Sequence, residues 1–437
     1  MRGVLWLFYL LFVHGQSSSV FRVAASPTWN FTLKQHMLAR GLTYKGSGNA
    51  LRRFIGKLNN GEQVVVSALG GSITHGHGGP PDADNPDKGF PNSWSRLVFD
   101  FIQLKWPKST HVYYNGAVPA TGASYFVSCL FRHVHPNADL YLIDLAVNGA
   151  GLKDTEGIVR QLMHARGGVS HSPLIFFVNF WNNWPGRNDE LAKKPWRTLI
   201  GDDDETHINT VAMYYDCMCA SMRNAYMYED MHNEPGFDYE SYIYGGNHPN
   251  ARGHRMMADL VVSQLLHGIH SLDGDHTYTY TDWLPPPIVD DNYSENTVGA
   301  CVFGKDLLKY ATRNDGWVFH DDKSKPGMWA NNTQASLEIS LPVIPAYRKL
   351  RVFFLRSWMP GMGTVKLSCL PSGCTCDAHD ISGHGDERSS VTTVHDTDIQ
   401  VVGERCMLLF TSLSGSFKLI GVASATPAYI VEGRQMS

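Results

Sequence analysis

Ser72 follows the apolar run Val64 to Leu69 and two glycines, Gly70 and Gly71, and is itself followed by Ile73 and Thr74. A serine released from the carboxyl end of a first parallel strand lies where α/β sheets bind ligands, and glycine neighbours let a substrate reach its hydroxyl. That is a position for a nucleophile, with a plain tight turn as the alternative. No Gly-Lys-Ser or Gly-Lys-Thr follows, which excludes a phosphate loop, and the glycine spacing of a dinucleotide fingerprint is absent. A serine nucleophile needs a base, and the chain holds 20 histidines. His248, in Asn247-His248-Pro249-Asn250, precedes the last helical pattern of the region and is placed to return over the sheet edge. His254 lies inside that helix and reads as structural or capping. His75 and His77 could ligate a metal or line a mouth, a solvated loop being the simpler reading. His133 and His135 read as ordinary residues at a helix end.

The elements that must position these groups follow from periodicity. Leu51, Phe54, Ile55 and Leu58 recur at helical spacing and stop at Asn59, Asn60 and Gly61. Apolar runs then alternate with amphipathic stretches: Val64 to Leu69, a helix over Trp94 to Phe101, Val112 to Tyr114, Leu140 to Val147, a helix over Thr155 to His164, and Leu174 to Val178. A final helix runs from about Gly253 to His267. Strands alternating with helices predict βαβ units and a parallel sheet covered on both faces. Pro285, Pro286 and Pro287, with the sequon at Asn292, predict an exposed connection. Beyond it the pattern changes to short β-rich runs from Leu337 onward, separated by glycine turns such as Pro360 to Gly363, which predicts an antiparallel β-sandwich.

Four short blocks now stand in order at the ends of successive strands: Gly-Gly-Ser72-Ile-Thr, Tyr-Asn-Gly116-Ala, Ala-Val-Asn148-Gly and His248-Pro. Over roughly residues 62 to 270 the chain resembles the SGNH hydrolase superfamily, the GDSL-type esterases. The resemblance implies a three-layer, flavodoxin-like α/β fold with Ser72 as nucleophile and His248 as base. It also implies an oxyanion hole built from the Ser72 and Gly116 N–H groups and the Asn148 side chain, with no cofactor and no metal. The chain departs from the family in three places: Gly71 replaces the aspartate before the serine, Gly149 replaces one often found after the asparagine, and Gly245 stands where the orienting aspartate belongs, three residues before His248. Asp238 and Glu240 are near in sequence, but nothing ties them to His248.

Arg2, the apolar block Val4 to Val13 and Gly15 read as a secretory signal peptide, and sequons at Asn30, Asn292 and Asn331 agree with export. Eight cysteines can pair completely in an oxidising compartment; three precede Cys301, so full pairing requires a bridge between the two halves. A zinc site on Cys374, Cys376 and His379 is the rival reading, although its spacing is not that of a zinc ribbon. Cys217 and Cys219 read as lying in an amphipathic helix. With 37 basic against 41 acidic residues and a formal net charge of -4, the chain offers no footprint for nucleic acid. No later apolar run approaches the length of a membrane span.

The expected organisation is a signal peptide over 1–15, an N-terminal segment over 16–47, the hydrolase domain over 48–272, a linker over 273–299 and a β-sandwich over 300–437. The cluster Phe176, Phe177, Phe180, Trp181, Trp184 and Trp196, with Asn182 and Asn183, would suit sugar rings or acyl chains, ordinary core packing being the alternative. Trp317, Trp329 and Trp358 are similar candidates in the sandwich. The acidic run Asp202 to Glu205 reads as a solvated loop. An esterase-like domain joined to a β-sandwich resembles extracellular enzymes that deacylate glycans, and the resemblance implies a secreted serine esterase removing O-acetyl groups from a carbohydrate, with the sandwich as a carbohydrate-binding module. A lipid esterase, an acyltransferase and a catalytically impaired glycan-binding protein are the alternatives.

Overall fold

The computed structural model describes residues 28–78, 92–168, 171–181, 204–232, 234–244, 248–270, 284–290, 292, 300–321, 325–343, 349–386 and 390–425. The first unit runs α1 (Gln35–Gly41), β1 (Leu42–Tyr44), α2 (Asn49–Asn60), β2 (Val65–Gly70), α3 (Ser72–His75), α4 (Trp94–Lys105), β3 (Val112–Asn115), α5 (Ala123–His133), β4 (Leu140–Asp144) and α6 (Leu152–Ala165). It continues with β5 (Leu174–Asn179), α7 (Asp204–Tyr214), β6 (Met218–Ser221), α8 (Met222–Met231), α9 (Tyr239–Tyr242), β7 (Ile243–Tyr244), β8 (His248–Pro249) and α10 (Ala251–His270).

The main sheet has the order β1-β6-β5-β4-β2-β3. Strands β2 to β6 pair in parallel, and β1 lies antiparallel on β6. Every residue of β4 and β5 is buried, as a strand covered on both faces requires. Consecutive side chains serve opposite layers: Phe176 packs with Phe54, Ile102 and Leu260 from α2, α4 and α10, whereas Phe177 packs with Phe126, Ile158 and Val211 from α5, α6 and α7. The expected three-layer architecture is therefore present. The segment expected to precede this unit belongs to it instead. Besides supplying α1 and β1, it is anchored on α10, where Asp259 accepts from Trp29 Nε1 at 2.7 Å and from the Thr32 and Leu33 N–H groups.

The second unit places β10 (Ala311–Asp315), β13 (Ser336–Pro342), β20 (Arg405–Ser414), β15 (Thr364–Leu370) and β17 (His379–Ser382) in one antiparallel sheet. The facing sheet comprises β11 (Trp317–His320), β12 (Gly327–Ala330), β21 (Phe417–Ala425), β14 (Lys349–Ser357) and β18 (Ser390–Asp398), with β9 (Cys301–Phe303) added on β21, and β16 (Cys374–Thr375) pairs with β19 (Gln400–Val401) in a separate short ribbon. Leu337, Ile339, Val352, Phe354, Val365 and Phe410 fill the space between them, so the sandwich is as expected. A short helical stretch (Gly304–Asp306 and Leu307–Tyr310) interrupts the all-β pattern.

The two units are clasped together. A disulfide joins Cys129 of α5 to Cys301 of β9, and Tyr125, Phe303 and Phe353 pack with ring centroids 4.6 to 5.3 Å apart. Arg351 Nη1 donates to Ser124 O and Ser128 Oγ, and Arg132 pairs with Asp306 at 2.6 Å.

Several expectations need correction. The described part of the connection is strapped to α6 rather than exposed. Buried Glu156 accepts from the Ile288 and Val289 N–H groups and from Asn292 Nδ2, and Arg160 donates to Pro285 O. Asn292 is only 4% exposed, its amide nitrogen turned inward, so this fold has no room for a glycan there; Asn30 and Asn331 are exposed. Pairing of the cysteines is incomplete: Cys369–Cys376 and Cys374–Cys406 join Cys129–Cys301, while Cys217 and Cys219 are buried free thiols. Cys219 lies in β6, not a helix, and residues two apart in a strand stand about 6.6 Å apart, at the outer limit for a bridge. These disulfides also consume both cysteines of the zinc alternative. Glu205 is buried in α7 and pairs with Arg223 at 3.2 Å rather than standing in a solvated loop.

Candidate active site

β2 ends at Gly70 and the chain turns at once into the single-turn helix α3, which starts on Ser72. Backbone leaves no room for a side chain at Gly70, and at Gly71 a side chain would have to displace Asn148. A Cβ at Gly70 would come within 2.4 Å of Asp144 O and Thr74 Oγ1, and one at Gly71 within 2.1 Å of Asn148 Oδ1. The absence of a side chain at Gly71 thus lets the Asn148 amide lie against the peptide that precedes the nucleophile. As the first residue of α3, Ser72 has an N–H without an intrahelical acceptor.

His248 reaches the serine from the opposite end of the unit. Its short strand β8 pairs with β7, placing Tyr244 opposite His248. Asn250 then caps α10: its N–H donates to Tyr242 O, and its Oδ1 accepts from Gly253 N at 3.0 Å. Gly78, at φ +89°, packs against this segment so closely that a Cβ there would lie 2.3 Å from Pro249 O and 3.0 Å from His248 Cβ. The result is a His248 Nε2 to Ser72 Oγ distance of 2.8 Å, the hydrogen bond that a base must make to a hydroxyl it is to deprotonate. Burial, with a smaller contribution from nearby His77, pushes the His248 imidazole down to about 4, so it is neutral and able to accept a proton at neutral pH. Among the described residues no carboxylate bonds to His248. Asp238 turns instead to the Ser241 N–H, and Gly245 and the Glu240 side chain lie outside what the structure describes.

The structure brings Ser72, His248 and Asn148 together, but Gly116 does not join them as a donor. Its N–H is spent on Ala68 O at 3.0 Å, continuing the β2–β3 ladder. Gly116 is a glycine for another reason, because a Cβ there would fall 1.4 Å from His133 O. The glycine beside the asparagine is Gly122, where a Cβ would approach Asn148 O to 2.1 Å. Among the described residues the Gly122 N–H has no acceptor.

His254 is structural, as expected: its Nδ1 accepts from Trp94 N, and its Nε2 lies 3.1 Å from His77 O. His77 is not simply a solvated loop residue; its ring lies 5.4 Å from that of His248 and is half-buried. His133 bonds Tyr125 OH at 3.0 Å, and His135 accepts from Asn137 N. Sequence reasoning passed over Asp144, which is fully buried at the end of β4, accepts from Phe180 N and is pushed up to about 7 by burial. A lone acid closing the apolar run Leu140 to Ile143 was the available signal. Phe176, Phe177, Phe180 and Trp181 are buried core residues, and Trp184, Trp196, Asn182, Asn183 and Asp202 lie outside the described residues. In the sandwich Trp317 is buried, Trp329 is half-buried and Trp358 is exposed.

No protein-family model matches the chain, and no curated protein does. Solved structures do. A two-domain esterase active on acetylated mannans superposes with a TM-score of 0.66 at 15% identity, covering 89% of this chain and 98% of that one. The same kind of esterase co-crystallised with mannopentaose gives 0.65 at 16% identity, covering 90% of this chain and 99% of that one. The likeness spans both units, and the two-domain fold is shared.

Proposed function

We propose that the protein is a secreted, serine-dependent carboxylic ester hydrolase that removes O-acetyl groups from a carbohydrate. The observation that carries this reading is the 2.8 Å contact between His248 Nε2 and Ser72 Oγ at the carboxyl edge of a parallel sheet. His248 takes the hydroxyl proton as Ser72 Oγ attacks the ester carbonyl, and returns it to the departing alcohol oxygen. Water, deprotonated by the same imidazole, then releases acetate from the acyl-serine. The oxyanion formed in each step is met by the Ser72 N–H and the Asn148 amide, with the Gly122 N–H in the place expected for Gly116. No step calls for a metal or an organic cofactor.

A carbohydrate substrate is supported by the acetylated mannans on which the two-domain esterase of the same fold acts. The disulfides suit an oxidising compartment and support export, with Asn30 and Asn331 as glycosylation sites. Hydrolysis of p-nitrophenyl acetate and butyrate, and acetate release from acetylated mannan, test the reading in wild type beside Ser72→Ala and His248→Ala. Turnover abolished in both variants, with acetate preferred over butyrate, is the expected result. A preference rising with chain length would favour a lipid esterase, and no turnover above the variants would favour a glycan-binding protein on a hydrolase scaffold.

A further inference from the structure

The two sheets of the sandwich are open along one side, where β17 ends one sheet and β18 ends the other. An edge strand leaves backbone groups and side chains unpaired by a neighbour, and here the two edges meet through a pair of histidines. His379 opens β17, and His395 stands within β18. Their Nε2 atoms face each other at 2.8 Å, with ring centroids 4.7 Å apart. Thr397 Oγ1, from a buried residue two positions along β18, lies 3.1 Å from the same nitrogen of His379.

The tautomer of His379 is set from behind. Its Nδ1 is 2.9 Å from Asp377 O; a carbonyl only accepts, so the proton sits on Nδ1 and Nε2 presents its single lone pair to the gap. Without an ion, both the His395 N–H and the Thr397 hydroxyl compete for that one lone pair. A cation resolves the competition once His395 carries its proton on Nδ1, because both Nε2 atoms then act as ligands. Metal–imidazole bonds of about 2.0 to 2.1 Å place cis nitrogens about 2.9 Å apart at a right angle, which matches the 2.8 Å observed, and about 3.3 Å apart at a tetrahedral one, which requires the two rings to part by about 0.5 Å.

We propose that His379 and His395 form a metal-binding clasp across the open edge of the sandwich, taking a first-row transition ion such as Zn²⁺, Cu²⁺ or Ni²⁺. Imidazole nitrogen suits these ions, whereas Ca²⁺ and Mg²⁺ demand oxygen ligands. Among the described residues no third imidazole, thiolate or carboxylate converges with the pair, so the Thr397 hydroxyl and water complete the shell. A cavity of about 250 Å³ lies beside the pair, lined by His395 and by Phe354, Arg356, Asp380, His384 and Thr393, so the His395 side of the gap opens to a space that carries both the Arg356 guanidinium and the Asp380 carboxylate. The two ligands belong to strands of different sheets, so the bound ion cross-links the sheets and stabilises the folded state by mass action. This site is separate from Ser72, and the proposal does not depend on esterase activity.

The test is isothermal titration of the full secreted chain, stripped with EDTA, with ZnCl₂ and NiCl₂, beside His379→Ala, His395→Ala and the double variant. Thermal melts and circular dichroism in EDTA confirm that each variant folds. The active-site histidines remain in all four proteins, so the decisive reading is the difference in stoichiometry. The proposal expects one molar equivalent fewer in the double variant, a metal-dependent rise in melting temperature lost with it, and no response to CaCl₂. Equal stoichiometry in wild type and the folded double variant overturns it, as does the absence of metal binding by the wild type. Should the alanine variants not fold, His395→Gln replaces them, and its retention of the full equivalent also overturns the proposal.

Discussion

Asn148 and Gly71 act as one device. The asparagine amide reaches the peptide before Ser72 only because position 71 carries no side chain; a Cβ there would sit 2.1 Å from Asn148 Oδ1. On the proposed mechanism Asn148→Ala removes a donor to the oxyanion and is expected to lower kcat about 100-fold, roughly 3 kcal/mol of barrier. Gly71→Ala displaces the same amide and is expected to cost nearly as much, while the double variant costs little more than either single one. Steady-state kinetics on all four proteins measure that non-additivity; additive losses would show that Gly71 acts on something other than Asn148. The base makes a second prediction at this scale. His248 must be neutral to accept the serine proton, and burial followed by the His77 charge holds it down to about 4. The acidic limb of kcat/KM is therefore expected near pH 4 to 5, and a limb near pH 6.5, the ordinary histidine value, would show that the imidazole is more solvated than this geometry allows.

At the scale of elements, buried histidines tie the site's supports together. His254 joins α10 to Trp94 of α4 and to the loop carrying His77, while His133 folds back on Tyr125 of its own helix, α5. Burial pushes both down to about 4. Below about pH 6.5 the unfolded chain binds protons that the folded one refuses, so stability is complete above that pH and declines as pH falls toward 4. A shift of this size is worth on the order of 3 kcal/mol per histidine. Urea midpoints measured from pH 7 to 4 are expected to fall steeply in wild type and more gently in His254→Asn; a flat profile would refute the linkage. The elements themselves were largely legible, because strands buried on both faces, such as Leu140 to Asp144 and Leu174 to Asn179, read as continuous apolar runs. What could not be read was which atoms the register consumes. Gly116 and Gly122 lie in one loop, and only the parallel pairing of β2 with β3 decides that the first spends its N–H on Ala68 while the second faces Asn148. Asn292 likewise reads as a surface sequon until the chain is laid across Glu156.

At the scale of the whole molecule, the sandwich is not a tethered appendage. Phe353 leaves the core of its own unit to pack on Tyr125 of α5, and Arg351, the second residue before it on β14, bonds to the backbone and a hydroxyl of that same helix. α5 is also the helix whose last residue, His133, packs against Gly116, so the surface that receives the sandwich backs directly onto the loop leading to Gly122. The Cys129–Cys301 bridge lies beside this contact and closes a separation of 172 residues. By the loop-entropy relation a bridge spanning that much chain removes unfolded-state entropy worth about 5 kcal/mol, and it forces the two units to unfold in each other's presence. Calorimetry of the oxidised protein is expected to give one cooperative transition. Cys301→Ser is expected to lower the melting temperature and to separate the α/β unit from the sandwich into two transitions, leaving Cys129 as a new thiol beside Tyr125. A variant that melts once, at the wild-type temperature, would show that the aromatic contact alone welds the molecule and that the disulfide only follows from it.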